Sequence, residues 1–135
     1  MKKIKDLVLL LWKNSVKDIL LIGLGGGIGA ILRYLLSLVS IKLEFPLMTF
    51  LTNIIGAILI GIIVGIFERN QISESFLLFF KTGVCGGFTT FSTFSLESLS
   101  LLEDKKYGVA SVYIGLSVLC CILGVMIGKY ISRYI

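Results

Sequence analysis

The sequence predicts an all-α integral membrane protein of four short spanning helices, and three observations carry that prediction. Of 135 residues, 56% are hydrophobic and only 16% charged, against about 25% charged in a soluble domain, and the mean hydropathy is +1.00. Four apolar segments reach the roughly 20 residues that a bilayer core about 30 Å thick demands. The 15 glycines lie inside those apolar runs, which excludes a disordered chain built from polar low-complexity tracts.

The elements follow in order. Residues 1–18 are a basic extension in which Ile4, Leu7, Val8 and Leu11 recur at helical spacing with lysines elsewhere. That pattern predicts an amphipathic helix in the headgroup plane; the alternative is a frayed basic tail. Its apolar stretch from Leu7 to Trp12 is too short for a secretory signal, and no A-x-A cleavage site follows. Residues 19–135 form one membrane domain, with spans expected at about 19–41, 46–67, 76–102 and 108–131 and short polar connectors between them. Pro46 suits the first turn of the second span, where its missing N–H costs nothing.

Composition excludes several classes of function. No histidine is present, so Ser-His-Asp, Cys-His and His-metal chemistries are ruled out and an enzyme is not expected. Cys85, Cys120 and Cys121 are odd in number, lie in apolar segments and form no CxxC pair; they read as small buried hydrophobes. The net charge of +5 does not point to nucleic acid, because the basic residues flank apolar runs as membrane-facing charge does.

Orientation is nearly unspecified by the core. Lys2, Lys3, Lys5, Lys13, Lys17, Arg69, Lys129 and Arg133 fall on the side of the termini, against Lys42, Lys105 and Lys106 opposite. Taken whole, this places the termini in the cytoplasm. Without the extension the balance is three against three.

In the first span GGGIGA, residues 25–30, fits a loose dinucleotide fingerprint but has no strand before it. Its glycines instead give the helix-packing pairs Gly23/Gly27 and Gly25/Gly29. Arg33 lies deep in the same span, placed either to draw anions toward a vestibule, to pair with an acid such as Glu97, or to snorkel. The second span stacks Thr49, Asn53, Ala57, Gly61 and Gly65 on one face at steps of four. An asparagine there either bonds a neighbouring helix or faces a cavity.

The third span carries the strongest signal. In GVCGGFTTFSTFSLES, residues 83–98, Gly86 and Gly87 weaken the helix, and Thr89, Thr90, Ser92, Thr93 and Ser95 compete for backbone groups. A helix broken near the membrane midplane is therefore expected. Such backbone is tolerated only inside protein or beside a wet cavity. Phe91 and Phe94 share a face and alternate with hydroxyls; phenyl edges carry positive quadrupole density, and Ser, Thr and Asn supply donors. This is an environment for a small anion without a fixed positive charge, which suits conduction, since conduction needs weak or multiple sites. In the fourth span, Tyr113 and Ser117 either extend a polar track or simply pack.

The motifs GGGIGAILRY (25–34), TNIIGAILIG (52–61) and GVCGGFTTFSTFSLE (83–97), in that order on four short spans, resemble the Fluc/CrcB fluoride channel family over about residues 19–131. The third motif is the specific one. The resemblance implies a fluoride-selective channel in the cell membrane, assembled as an antiparallel, dual-topology homodimer with two pores. By position it implies that Phe91 and Phe94 line the pores with Asn53, and that Arg33 sits near a vestibule. It further implies that Ser92, Thr93, Glu97, Tyr113 and Ser117 belong to a polar track. Backbone carbonyls of Gly86 and Thr89 from both subunits would hold a structural sodium ion; a hard cation wants oxygen ligands, and unwound backbone provides them. The expected partners are thus fluoride, the lipid bilayer and a second copy, and no nucleic acid. The basic extension departs from the family pattern.

Two other readings compete. A proton-coupled small multidrug exporter has a similar length and helix number, but its first span typically carries a carboxylate, where this one carries Arg33 and no acid. A membrane scaffold would leave the interleaved hydroxyls and phenyls without purpose.

Overall fold

The apolar runs become helices. The structure is a computed structural model that describes residues 2–39, 41 and 43–135, with side chains from Ser15 onward, and no strand occurs among the described residues. Helix α1 (Lys2–Ser37) continues without interruption from the extension through the first apolar segment. The amphipathic pattern expected of residues 4–11 lies outside the described side chains. Helix α2 (Leu47–Glu68) begins one residue beyond Pro46, which caps it instead of occupying its first turn.

The third expected span is not one continuous helix. Helix α3 (Glu74–Leu77) starts at Ser73, whose hydroxyl accepts the Phe76 N–H at 3.3 Å. It passes into a π-helical stretch (Leu78–Cys85), in which the Gly86 N–H reaches back five residues to the Lys81 carbonyl, and then into helix α4 (Gly86–Phe88). Thr89 (φ −77°, ψ 156°) and Thr90 (φ −149°, ψ 110°) are extended, and helix α5 (Phe91–Glu103) follows. Thr90 caps α5 by accepting the Thr93 N–H at 3.2 Å, the usual role of a threonine before a first turn. Helix α6 (Tyr107–Ile131) ends in a single 3-10 turn (Ser132–Tyr134).

Three helices among the described residues are long and apolar enough to cross a membrane: Ser15–Ser37 in α1, Leu47–Glu68 in α2, and Tyr107–Tyr134, which spans α6 and its closing turn. The chain is all-helical, in about four helical stretches. Every long helix turns apolar side chains outward, among them Ile19, Leu24, Ile31, Leu59, Leu119 and Ile122, a surface suited to lipid or a partner and unsuited to water.

Glycine decides how closely the helices meet. Helix α2 packs along α6, and a Cβ added at Gly128 would fall on the Ile58 carbonyl, while one at Gly61 would fall on that of Val125. Small residues here let backbones touch where side chains would hold them apart. Helix α1 packs on the π-helical stretch and α4 in the same manner: Gly25 lies on Phe79 and Gly83, and Gly29 on Val84 and Phe88. Of the two glycine pairs read from the sequence, Gly25/Gly29 makes the contact; Gly23 and Gly27 have nothing within 4 Å.

A small core of Phe94, Leu101, Ala110 and Tyr113 joins α5 to α6. Phe45 from the preceding connector packs edge-on against Tyr113 at 5.3 Å and against Phe50 at 5.2 Å. At the other end, Lys129 pairs with Glu68 at 2.7 Å, and the Arg69 guanidinium donates to the Ser132 carbonyl. Lys17 donates to the Ser75 hydroxyl at 3.0 Å, tying α1 to the start of α3.

Candidate functional site

The site is built around the two extended residues. Asn53 of α2 donates from Nδ2 to the Thr90 carbonyl at 3.1 Å and accepts the Thr90 N–H on Oδ1 at 2.7 Å. One amide side chain thus satisfies both backbone groups of the residue that leaves the helix. Unpaired, those buried groups would be costly. Thr89 turns its hydroxyl back to the Cys85 carbonyl at 2.9 Å, and Thr90 donates its own to Thr93 Oγ1 at 2.9 Å.

The carbonyls of Gly86 and Thr89 are freed as a result, as is that of Phe88, whose helical partner would be the Ser92 amide. In an unbroken helix the Gly86 carbonyl would accept from the Thr90 amide and the Thr89 carbonyl from the Thr93 amide. The first amide is taken by Asn53 and the second by the Thr90 hydroxyl, and among the described residues no other backbone amide replaces them. Gly86 is also exposed. The Gly87 carbonyl between them accepts from Arg33 Nε at 3.2 Å.

Two grooves flank this interruption. The first, about 420 Å³, is lined by Asn53, Thr89, Phe91, Phe94, Ser117 and Cys121 among others. Phe91 is 77% exposed and Phe94 9%, with ring centroids 5.5 Å apart. Phe94 rests on Tyr113 at 5.3 Å. The Ser117 hydroxyl is buried and, among the described residues, has no hydrogen-bond partner. The second groove, about 380 Å³, is lined by Arg33, Tyr34, Ser37, Thr49, Thr90 and Thr93 among others.

Glu97 belongs to neither lining. Its carboxylate accepts from the Thr49 hydroxyl at 2.8 Å and from the Tyr113 hydroxyl at 2.7 Å. Two donors hold the charge, and charge-assisted bonds of this kind are the strong ones. The pairing of Arg33 with Glu97 that the sequence left open does not form; Arg33 takes the Gly87 carbonyl instead.

The residues singled out in the sequence therefore divide. Asn53, Phe91, Phe94 and Ser117 meet in one groove. Thr93 and Arg33 line the other, Ser92 is exposed beside the Thr90 cap with its hydroxyl 3.3 Å from that of Thr90, and Glu97 and Tyr113 bond each other between α5 and α6. Thr49, seen in the sequence only as part of a small polar face, is the residue that completes the hold on Glu97. Its position one turn before Asn53 was the available signal.

An all-helical chain with three helices able to cross a membrane, and with its hydroxyls, amide and phenyl rings gathered around a break in a helix, is a multi-pass membrane protein with an internal polar region. Residues 20–129 match the family described as CrcB-like protein, Camphor Resistance (CrcB), and the chain belongs to that family. It is 48% identical over 121 residues to the fluoride-specific ion channel FluC of Phocaeicola vulgatus, covering 87% of this chain and 100% of that one. It is 43% identical over 122 residues to the protein of that name from Flavobacterium psychrophilum, covering 87% and 98%. It is 39% identical over 123 residues to that of Azobacteroides pseudotrichonymphae, covering 88% and 98%.

Proposed function

We propose that this chain is a fluoride-selective channel and no enzyme, and that it lets fluoride leave the cell across the cell membrane down its electrochemical gradient, lowering cytoplasmic fluoride. The names of the relatives supply the ion. The observation that carries the reading onto this chain is the first groove, where two phenyl rings, the Asn53 amide and the unpartnered Ser117 hydroxyl face one space. Asn53 has given one Nδ2 hydrogen to Thr90 and keeps a second for an anion. Donors and phenyl edges replace part of the ion's hydration shell without a lysine or arginine that would hold it too long.

The working unit is a homodimer of two copies in opposite orientations, with two pores. The outward apolar faces and the open grooves support this reading, since each chain leaves its groove to be walled by another surface. The interruption at Thr89 and Thr90 lies near the membrane midplane, and Arg33 serves the vestibule beside the second groove. Ser92, Thr93, Glu97, Tyr113 and Ser117 carry the polar track, with Glu97 fixed by Thr49 and Tyr113.

The freed carbonyls of Gly86 and Thr89 fit a sodium ion. They are hard oxygen donors without amide partners, and one chain offers these two where a hard cation takes about six ligands, so a second copy is needed to approach that number. The ion would supply a fixed positive charge holding the two broken helices together. The extension, residues 1–18, precedes the channel domain at 19–135; α1 runs on from it without a break, and its lysines meet the headgroups at each membrane face.

Growth tests this reading in cells. A bacterial strain without a fluoride exporter of its own should regain growth in fluoride medium when it expresses this chain, and should not regain it with Phe94→Ile. No rescue by the unaltered chain at normal membrane expression contradicts the proposal.

A further inference from the structure

Three thiols lie outside the function proposed above. Cys85 is 1% exposed, and Cys120 and Cys121 are half-buried on α6. Only one of them lines either groove: Cys121 shares the first with Asn53, Phe94 and Ser117. Ser117 stands one helical turn before Cys121, so the two side chains are neighbours on one face.

The Ser117 hydroxyl gives that face a second mark. It is 5% exposed and its oxygen is the one buried side-chain polar atom without a partner among the described residues. Ser95, Ser98 and Ser100 each donate to the carbonyl four residues earlier, at 2.9, 2.7 and 3.0 Å, whereas Ser117 does not. A buried hydroxyl without a partner is unfavourable, and in a groove it points to something that occupies the groove. Cys121 stands beside that vacant hydrogen-bonding position.

We propose that Cys121 is a modification site inside the ion pathway, where a mixed disulfide with a low-molecular-weight disulfide closes the pore and a reducing thiol reopens it. This rests on the reading of the first groove as that pathway. The Cys121 thiol loses its proton to water, and the thiolate attacks one sulfur of the incoming disulfide. A new Sγ–S bond forms as the old S–S bond breaks, and the departing thiolate carries away the electron pair. Cys121 is oxidised, the leaving half of the disulfide is reduced, and no other oxidant is needed. The added group stands beside Ser117 in a groove of about 420 Å³ and takes the space the ion needs. Cys85 is too buried to react, and Cys120 lines neither groove.

The test uses the full chain in liposomes loaded with fluoride and the membrane-impermeant reagent 2-sulfonatoethyl methanethiosulfonate, which transfers its thioalkyl group to a thiolate and releases methanesulfinate. Efflux should fall about tenfold or more and return with dithiothreitol, with the adduct on Cys121 by peptide mass spectrometry. Cys120→Ser should remain sensitive, and Cys121→Ser should show the same efflux before and after the reagent. An adduct on Cys121 with undiminished efflux overturns the proposal, as does an adduct confined to Cys120 or inhibition that persists in Cys121→Ser. An absence of efflux before any reagent is added overturns the functional reading, and this proposal with it.

Discussion

Asn53 and Thr90 hold each other through two hydrogen bonds, the side-chain amide taking the place of a neighbouring strand for one extended residue. The interruption between α4 and α5 is stable because a residue on a different helix completes it. Replacing Asn53 by alanine leaves a buried N–H and C=O unpaired, at about 1–3 kcal/mol for each such group. Asn53→Ala is expected to lower the unfolding temperature in detergent and to reduce fluoride efflux. Asn53→Asp keeps the acceptor for the Thr90 N–H but sets a carboxylate oxygen against the Thr90 carbonyl where the amide donated and adds a negative charge to the groove, so it should recover at most part of the stability lost in alanine and none of the flux. Thermal unfolding and efflux, measured on both variants, check the contrast.

The two phenylalanines separate pore function from folding. Phe91 is 77% exposed, with the Phe94 ring 5.5 Å away, so Phe91→Ile should leave stability within about 0.5 kcal/mol. Phe94 rests on Tyr113, and Phe94→Ile should cost about 1 kcal/mol. Both are expected to reduce fluoride efflux by about tenfold or more, a barrier rise of ~1.4 kcal/mol. Unchanged efflux in either variant removes that ring from the pathway.

Sequence reading reached the helices and the chemistry more surely than the partnerships. Apolar run length gave α2 and α6 to within a residue or two, and the two extended residues Thr89 and Thr90 lie within the run 86–95 that glycines and hydroxyls mark. The π-helical stretch Leu78–Cys85 had no local signal, because nothing in LFFKTGVC distinguishes a π-helical turn from an α-helical one. The choice between Gly25/Gly29 and Gly23/Gly27 was equally hidden: both pairs have the packing spacing, and only the position of Gly83 on the neighbouring stretch selects one. Pairing with Glu97 was one of three readings open for Arg33, and it rested on charge alone. The structure satisfies each with uncharged groups, a carbonyl for the cation and two hydroxyls for the anion.

The glycine contacts make a paired prediction about packing. At Gly128 an added methyl meets the backbone of α2, which cannot give way as a side chain does, so Gly128→Ala should destabilise the chain by about 1–3 kcal/mol. At Gly23 there is open space, and Gly23→Ala should be neutral within about 0.5 kcal/mol. Denaturation in a mild detergent compares the two.

Five lysines in the extension act against a core whose loop charges balance. The antiparallel homodimer requires that this bias not fix one orientation. With Lys2→Cys in a chain whose native cysteines are replaced by serine, a membrane-impermeant thiol reagent should label part of the protein from each side of intact membranes. Labelling from one side alone contradicts dual topology.

Fluoride efflux from liposomes containing the purified chain, with chloride efflux measured in the same preparation, is the most direct test. The account predicts rapid fluoride loss with chloride retained. Equal loss of both ions, or retention of both, contradicts it.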